Sequence, residues 1–128
     1  MATANSLINL GNPPETAKRI GFQPVSVTTS GTTQGSGTGV LRGPGNKIVN
    51  VTSHAAGGAV TLPSDAEVGD EIIVHNLGAA NTCVVFPPTG GSINAQGANN
   101  GTAAFAQNLG RSFVKTTATA WVSMLAVA

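Results

Sequence analysis

The stretch "KIVNVTS", residues 47–53, sets Ile48, Asn50 and Thr52 on one side of an extended chain and Val49 and Val51 on the other. A period of two carried by β-branched residues is the pattern of a half-buried strand. The same kind of segment recurs downstream: "AVTLP" (59–63, stopped by Pro63), "EIIVHNL" (71–77), "TCVVF" (82–86), "TAAFA" (102–106), "SFVKTT" (112–117) and "AWVSML" (120–125). "GAAN" (78–81) between two of these runs reads as a hairpin loop, and "TAT" (117–119) as a second one. No stretch after residue 47 has the length and period of a useful helix. Short strands at regular spacing predict an all-β body over residues 47–128, a small β-sandwich or barrel of jelly-roll-like type.

Upstream the composition changes. In "NPPETAKRIG" (12–21) Asn12 can cap a short helix near 13–20, with Pro13 at its first position, Glu15 three residues after the cap and Gly21 closing it. So short a helix needs a surface to dock on. "GFQPVSVTT" (21–29) allows one strand, and "SGTTQGSGTGVLRGPGN" (30–46) has the composition of a flexible loop. Residues 1–46 therefore read either as a disordered leader or as an extended, mostly irregular N-terminal arm that orders on a neighbour. Leu7, Ile8, Leu10, Ile20, Phe22, Val40 and Leu41 favour the arm, since a pure linker has little use for apolar anchors. Lys18, Arg19, Arg42 and Lys47 make the same region locally basic. Both sets suit docking on a partner protein.

Only 9% of the 128 residues are charged, against roughly 25% in an ordinary soluble domain. The net charge of +1 supplies no field for nucleic acid or an acidic membrane. A core built largely of Ala, Val and Thr is thin for its size, and the single cysteine excludes an intrachain disulfide. Oligomerisation is the remaining source of stability. No segment has the length of an apolar membrane span, and "MATANSLINLG" lacks the basic start and apolar run of a signal peptide, which predicts production in the cytoplasm without export.

Residues for chemistry are few. Asp65, Glu67, Asp70 and Glu71 crowd one turn but lack the order of a calcium loop, so they read as a solvated turn, with ion pairs from Asp65 or Glu67 to Arg111 or Lys115 as a further option. His54, His75 and Cys83 lack the close pairs of a structural zinc site. Cys83 in "TCVVF" reads as a small buried hydrophobe. "GSGTG" (35–39) has neither the strand before it nor the helix after it that a phosphate loop needs. Trp121 reads as core or subunit seam rather than a sugar platform. No catalytic residue, metal or cofactor is expected.

Taken in order, "VTLP" (60–63), "VGDEIIVHN" (68–76), "FPPTGGSIN" (86–94), "GRSFVKT" (110–116) and "AWVSML" (120–125) resemble a small β-module of tailed-phage virion proteins. The resemblance covers about residues 59–126 and leaves the arm aside. It implies a virion structural role, usually as a homotrimer, either as a capsid decoration (cement) protein or as a head- or tail-fibre domain that binds host receptor or glycan. A compact chain with an anchored arm points to decoration. The expected partners are then the major capsid protein and further copies of the chain, without nucleic acid or membrane. The expected location is the capsid surface. Leu7, Ile8, Leu10, Lys18, Arg19, Phe22 and Arg42 are the candidate contacts to the capsid or to a neighbouring subunit. The neutral stretch from Phe86 to Gly110 fits turns and a short strand that need no catalytic group.

Overall fold

The computed structural model describes residues 21–77, 81–94 and 96–126, with Leu125 and Ala126 described by backbone alone. The short helix expected near 13–20, together with Leu7, Ile8, Leu10, Lys18 and Arg19, lies outside the described residues.

The chain is all-β. Its strands are β1 (Gln23–Thr28), β2 (Lys47–Thr52), β3 (Gly58–Thr61), β4 (Glu71–Asn76), β5 (Cys83–Phe86), β6 (Ser92–Ile93), β7 (Gly110–Lys115) and β8 (Ala120–Ala126), with one 3-10 turn at Gly37–Gly39. Six strands form one sheet in the order β1-β2-β4-β7-β8-β6, and β3 and β5 form a second. β1, β2 and β4 run parallel, as do β3 and β5.

These pairings come from a chain that returns to the same place every 24 or 25 residues. Gln23 pairs with Lys47 and Lys47 with Ile72; on the opposite sheet Gly58 pairs with Cys83. Each return lays like upon like, so Val25, Val49 and Val74 stack in one column and Val27, Val51 and Asn76 in the next. Hydrogen bonds between loops keep the same step: Gly45 N–H to Asp70 Oδ2 (2.8 Å), Glu71 N–H to Asn46 Oδ1 (2.9 Å) and Gly57 N–H to Thr82 Oγ1 (2.8 Å) each span 25 residues. The arrangement is solenoid-like, with successive coils contacting their neighbours. It replaces the expected jelly-roll-like sandwich or barrel, which is built from antiparallel strands. The hairpin expected across "GAAN" is likewise absent, because β4 and β5 belong to different sheets. The second hairpin, β7–β8 through residues 116–119, forms as expected. "TAAFA" contributes a single bridge, Phe105 to Cys83.

Residues 21–46, read from the sequence as part of the arm, pack with the rest of the chain. β1 extends the main sheet, Val40 bridges to Thr61, and Leu41 is buried in the core. Close coil stacking explains the glycines here. A Cβ on Gly39 would overlap the carbonyl oxygen of Ala59, and one on Gly58 would overlap the Ser53 hydroxyl.

One core lies between the sheets. Val49, Val51, Ile72 and Val74 face Val60, Leu62 and Val85, and Ile93, Phe105, Phe113 and Trp121 close its far end. Trp121 is 1% exposed, as its core reading requires. Asn76 takes the column position held by Val27 and Val51. Its side-chain amide donates to Asn81 O (2.8 Å) and Phe105 O (3.2 Å), which satisfies a buried polar group where the column ends.

Both ends of the main sheet are guarded against further strand pairing. The N–H groups of Gln23 and Thr29 point to the β2 side, bonding Asn46 O and Thr52 O, so Pro24, Ser26 and Thr28 face the free edge. Pro24 has no N–H to offer, and the Thr28 carbonyl is occupied by the Thr38 hydroxyl. At the other end Asn94, with φ of 56°, reaches β8: Ser123 N–H donates to its Oδ1 (2.9 Å), and its own N–H donates to Trp121 O (2.8 Å).

Candidate interaction surface

The acidic turn is structural. Asp70 is buried, and its Oδ2 accepts the N–H groups of Gly45 and Glu67, each at 2.8 Å. Asp65 Oδ1 accepts the N–H of Gly43 at 2.8 Å. Two carboxylates thus clamp the loop at residues 43–45 to the coil that follows it. The solvated-turn reading holds for the exposed Asp65 and Glu67 but not for Asp70.

Lys47 and Lys115 are also turned inward. Lys47 Nζ donates to the carbonyls of Gly43 (2.7 Å), Pro44 (3.3 Å) and Gly45 (3.4 Å). Burial holds its pKa below the ordinary value, and the nearby Asp70 and Asp65 oppose that shift. Lys47 therefore leaves the set of basic residues free to dock elsewhere. Lys115 Nζ donates to Ala66 O at 2.6 Å, and Arg111 lies over the Phe105 ring at 5.7 Å from its centroid. A carbonyl and an aromatic face are thus contacts of these two cations.

Cys83 is fully buried, and burial pushes its thiol up to about 12. A group so far from ionising is no nucleophile. His54 Nδ1 lies 2.7 Å from Thr29 Oγ1, which also accepts the His54 N–H at 3.0 Å. Among the described residues no three of His, Cys, Asp and Glu gather into a metal-binding group. An open cleft of about 250 Å³ lies between Leu41, Arg42, Leu62, Asp65 and Pro88. Asp65 Oδ1 on its rim accepts the Gly43 N–H at 2.8 Å, and Thr61 Oγ1 accepts the Gly35 N–H at 2.8 Å. Of the contact residues expected from the sequence, Arg42 is exposed on the rim of this cleft and Phe22 stands half-buried at the head of β1.

The broadest surface feature is the outer face of the main sheet. Strand alternation turns Ile48, Asn50 and Thr52 of β2, Glu71, Ile73 and His75 of β4, Ser112 and Val114 of β7, and Val122 and Met124 of β8 away from the core. Ile48 is 37%, Val122 47% and Met124 69% exposed. Pro24, Ile48, Ile73, Ser112 and Met124 form one continuous row across five strands. The face therefore mixes Ile48, Ile73, Val114, Val122 and Met124 with Asn50, Thr52, Glu71, His75 and Ser112.

Sequence reasoning missed this face because the strands were not yet ordered. The signal was present in "KIVNV" and "IIVHN", which repeat 25 residues apart and carry Ile48 and Ile73 at the same place. Comparison of the chain with protein-family models, curated proteins and solved structures finds no significant match.

Proposed function

We propose that the chain is a structural, non-enzymatic protein of a phage virion, a capsid decoration protein. It binds the outer face of the capsid shell as a homotrimer and stabilises the shell by non-covalent contacts. The observation that carries this reading is the outer sheet face, broad and mostly uncharged, with Glu71 and His75 its only ionisable groups among the described residues, on a chain whose Asp65, Asp70, Lys47 and Lys115 bond its own backbone. Such a surface suits protein contact and offers little to a reaction. The ordered resemblance over residues 59–126 supports the virion assignment. Phe22 and Arg42, with Leu7, Ile8, Leu10, Lys18 and Arg19, are the proposed contacts to the shell or to a neighbouring subunit. Many weak contacts repeated by shell symmetry add up to firm attachment.

The test is to add the full chain to purified shells that lack it, sediment them, count bound copies and follow the shell's melting temperature. Saturable binding in multiples of three with a raised melting temperature supports the proposal. Failure to bind, with binding instead to host cells or their surface glycans, overturns it in favour of a fibre domain.

A further inference from the structure

The outer face has a direction as well as a composition. Ile48 pairs with Ile73, Ile73 with Ser112 and Ser112 with Met124, so a row that is apolar except at Ser112 crosses the strands at right angles. On β4, Glu71 and His75 stand two residues to either side of Ile73 and share its face. No other ionisable side chain points outward from β1, β2, β4, β7 or β8 among the described residues.

We propose that this face is buried against two further copies of the chain around a three-fold axis that runs along the Ile48–Ile73–Met124 row. The inference rests on the trimeric reading above and names the surface that makes the trimer. A six-residue strand is about 20 Å long, and three such strands set end to end as a triangle place each midpoint about 6 Å from the axis. Half the spacing of two packed sheets is about 5 Å. Three Ile73 side chains therefore meet on the axis, with a layer of Ile48 on one side and layers of Ser112 and then Met124 on the other. At each corner the Glu71 end of one β4 meets the His75 end of the next, which pairs a carboxylate with an imidazole instead of like with like. This head-to-tail contact closes a ring of three.

One alternative fits less well. Pairing through sheet edges is blunted by Pro24 and Thr38 at one end and by Asn94 at the other.

Sedimentation equilibrium of the full chain and its variants tests this. The wild type is expected to be a trimer. Met124→Lys places a charge at the axis on a side chain that is 69% exposed in the single chain, so it should leave the far-UV spectrum unchanged and weaken association more than about tenfold. Glu71→Lys should dissociate the trimer, and adding His75→Glu to it should restore association. A wild-type trimer that survives Met124→Lys overturns this face while leaving the trimeric reading intact. A wild-type monomer or dimer overturns both. Failure of the charge swap to restore association overturns the head-to-tail corner.

Discussion

The N–H of Gly45 donates to the carboxylate of Asp70 at 2.8 Å, across 25 residues and one full coil of the chain. The same oxygen accepts the Glu67 N–H, so a single buried side chain ties a glycine-rich loop to the turn beneath it. Contacts of this step recur from coil to coil, and they hold together a domain with few large apolar side chains.

Asp70→Ala leaves two backbone donors without their acceptor and removes a charge that favours the buried Lys47 ammonium. We expect a loss of about 2–5 kcal/mol in urea unfolding. Asp70→Asn retains an acceptor oxygen and should lose less. Equal stability of Asp70→Ala and wild type would remove the clamp from the account.

Gly39 and Gly97 separate close stacking from simple loop flexibility. A Cβ on Gly39 would overlap the Ala59 carbonyl, whereas at Gly97 its nearest neighbour is the Asn100 side-chain amide nitrogen at 3.2 Å. Gly39→Ala should cost about 1–3 kcal/mol or more, and Gly97→Ala close to nothing. Thermal melts of the two variants give the comparison, and similar melting temperatures would contradict the coil packing.

Trp121→Ala empties the closed end of the core, where Trp121 is 1% exposed, and should cost about 3–5 kcal/mol. The indole N–H has no hydrogen-bond partner among the described residues, so Trp121→Phe loses volume but none of the described hydrogen bonds and should cost clearly less. Denaturant midpoints of the two variants check this, with equal losses arguing against a packing role.

Alkaline pH should act on stability through two buried groups in opposite directions. The Cys83 thiol is raised in the folded chain from 9.0 to about 12, so its contribution is present below pH 9 and lost as pH rises from 9 to 12, by up to about 1.4 kcal/mol per pH unit. Lys47 is lowered from 10.5, so the unfolded chain holds the extra proton just below that value and stability gains as pH rises towards 10.5. Urea midpoints between pH 8 and 11 should therefore fall less steeply with rising pH for Cys83→Ala than for wild type, and more steeply for Lys47→Met. Native Cys83 should also resist thiol reagents until the chain unfolds.

Strand positions were legible in the sequence because alternation is local: Val49 and Val51 against Ile48 and Thr52 read the same before and after folding. Strand direction was not, since a period of two is common to parallel and antiparallel sheets. That ambiguity turned β4 and β5 into a hairpin on the page and into strands of different sheets in the molecule. The step from Lys47 to Ile72 carried the missing information. Lys47 was misread for a related reason. It begins a strand with Val49 and Val51 on its own side, and alternation already pointed it inward, but a lysine is rarely buried unless its ammonium finds partners. Three carbonyls of the preceding loop supply them.

The measurement that bears most directly on the central claim is copy number in the particle. Mass spectrometry of purified virions can quantify this chain against the major capsid protein. The account predicts copies in the hundreds per particle, in a multiple of three set by the shell's symmetry. A handful of copies would place the chain in a fibre or tail, and its absence from the particle would contradict a virion role altogether.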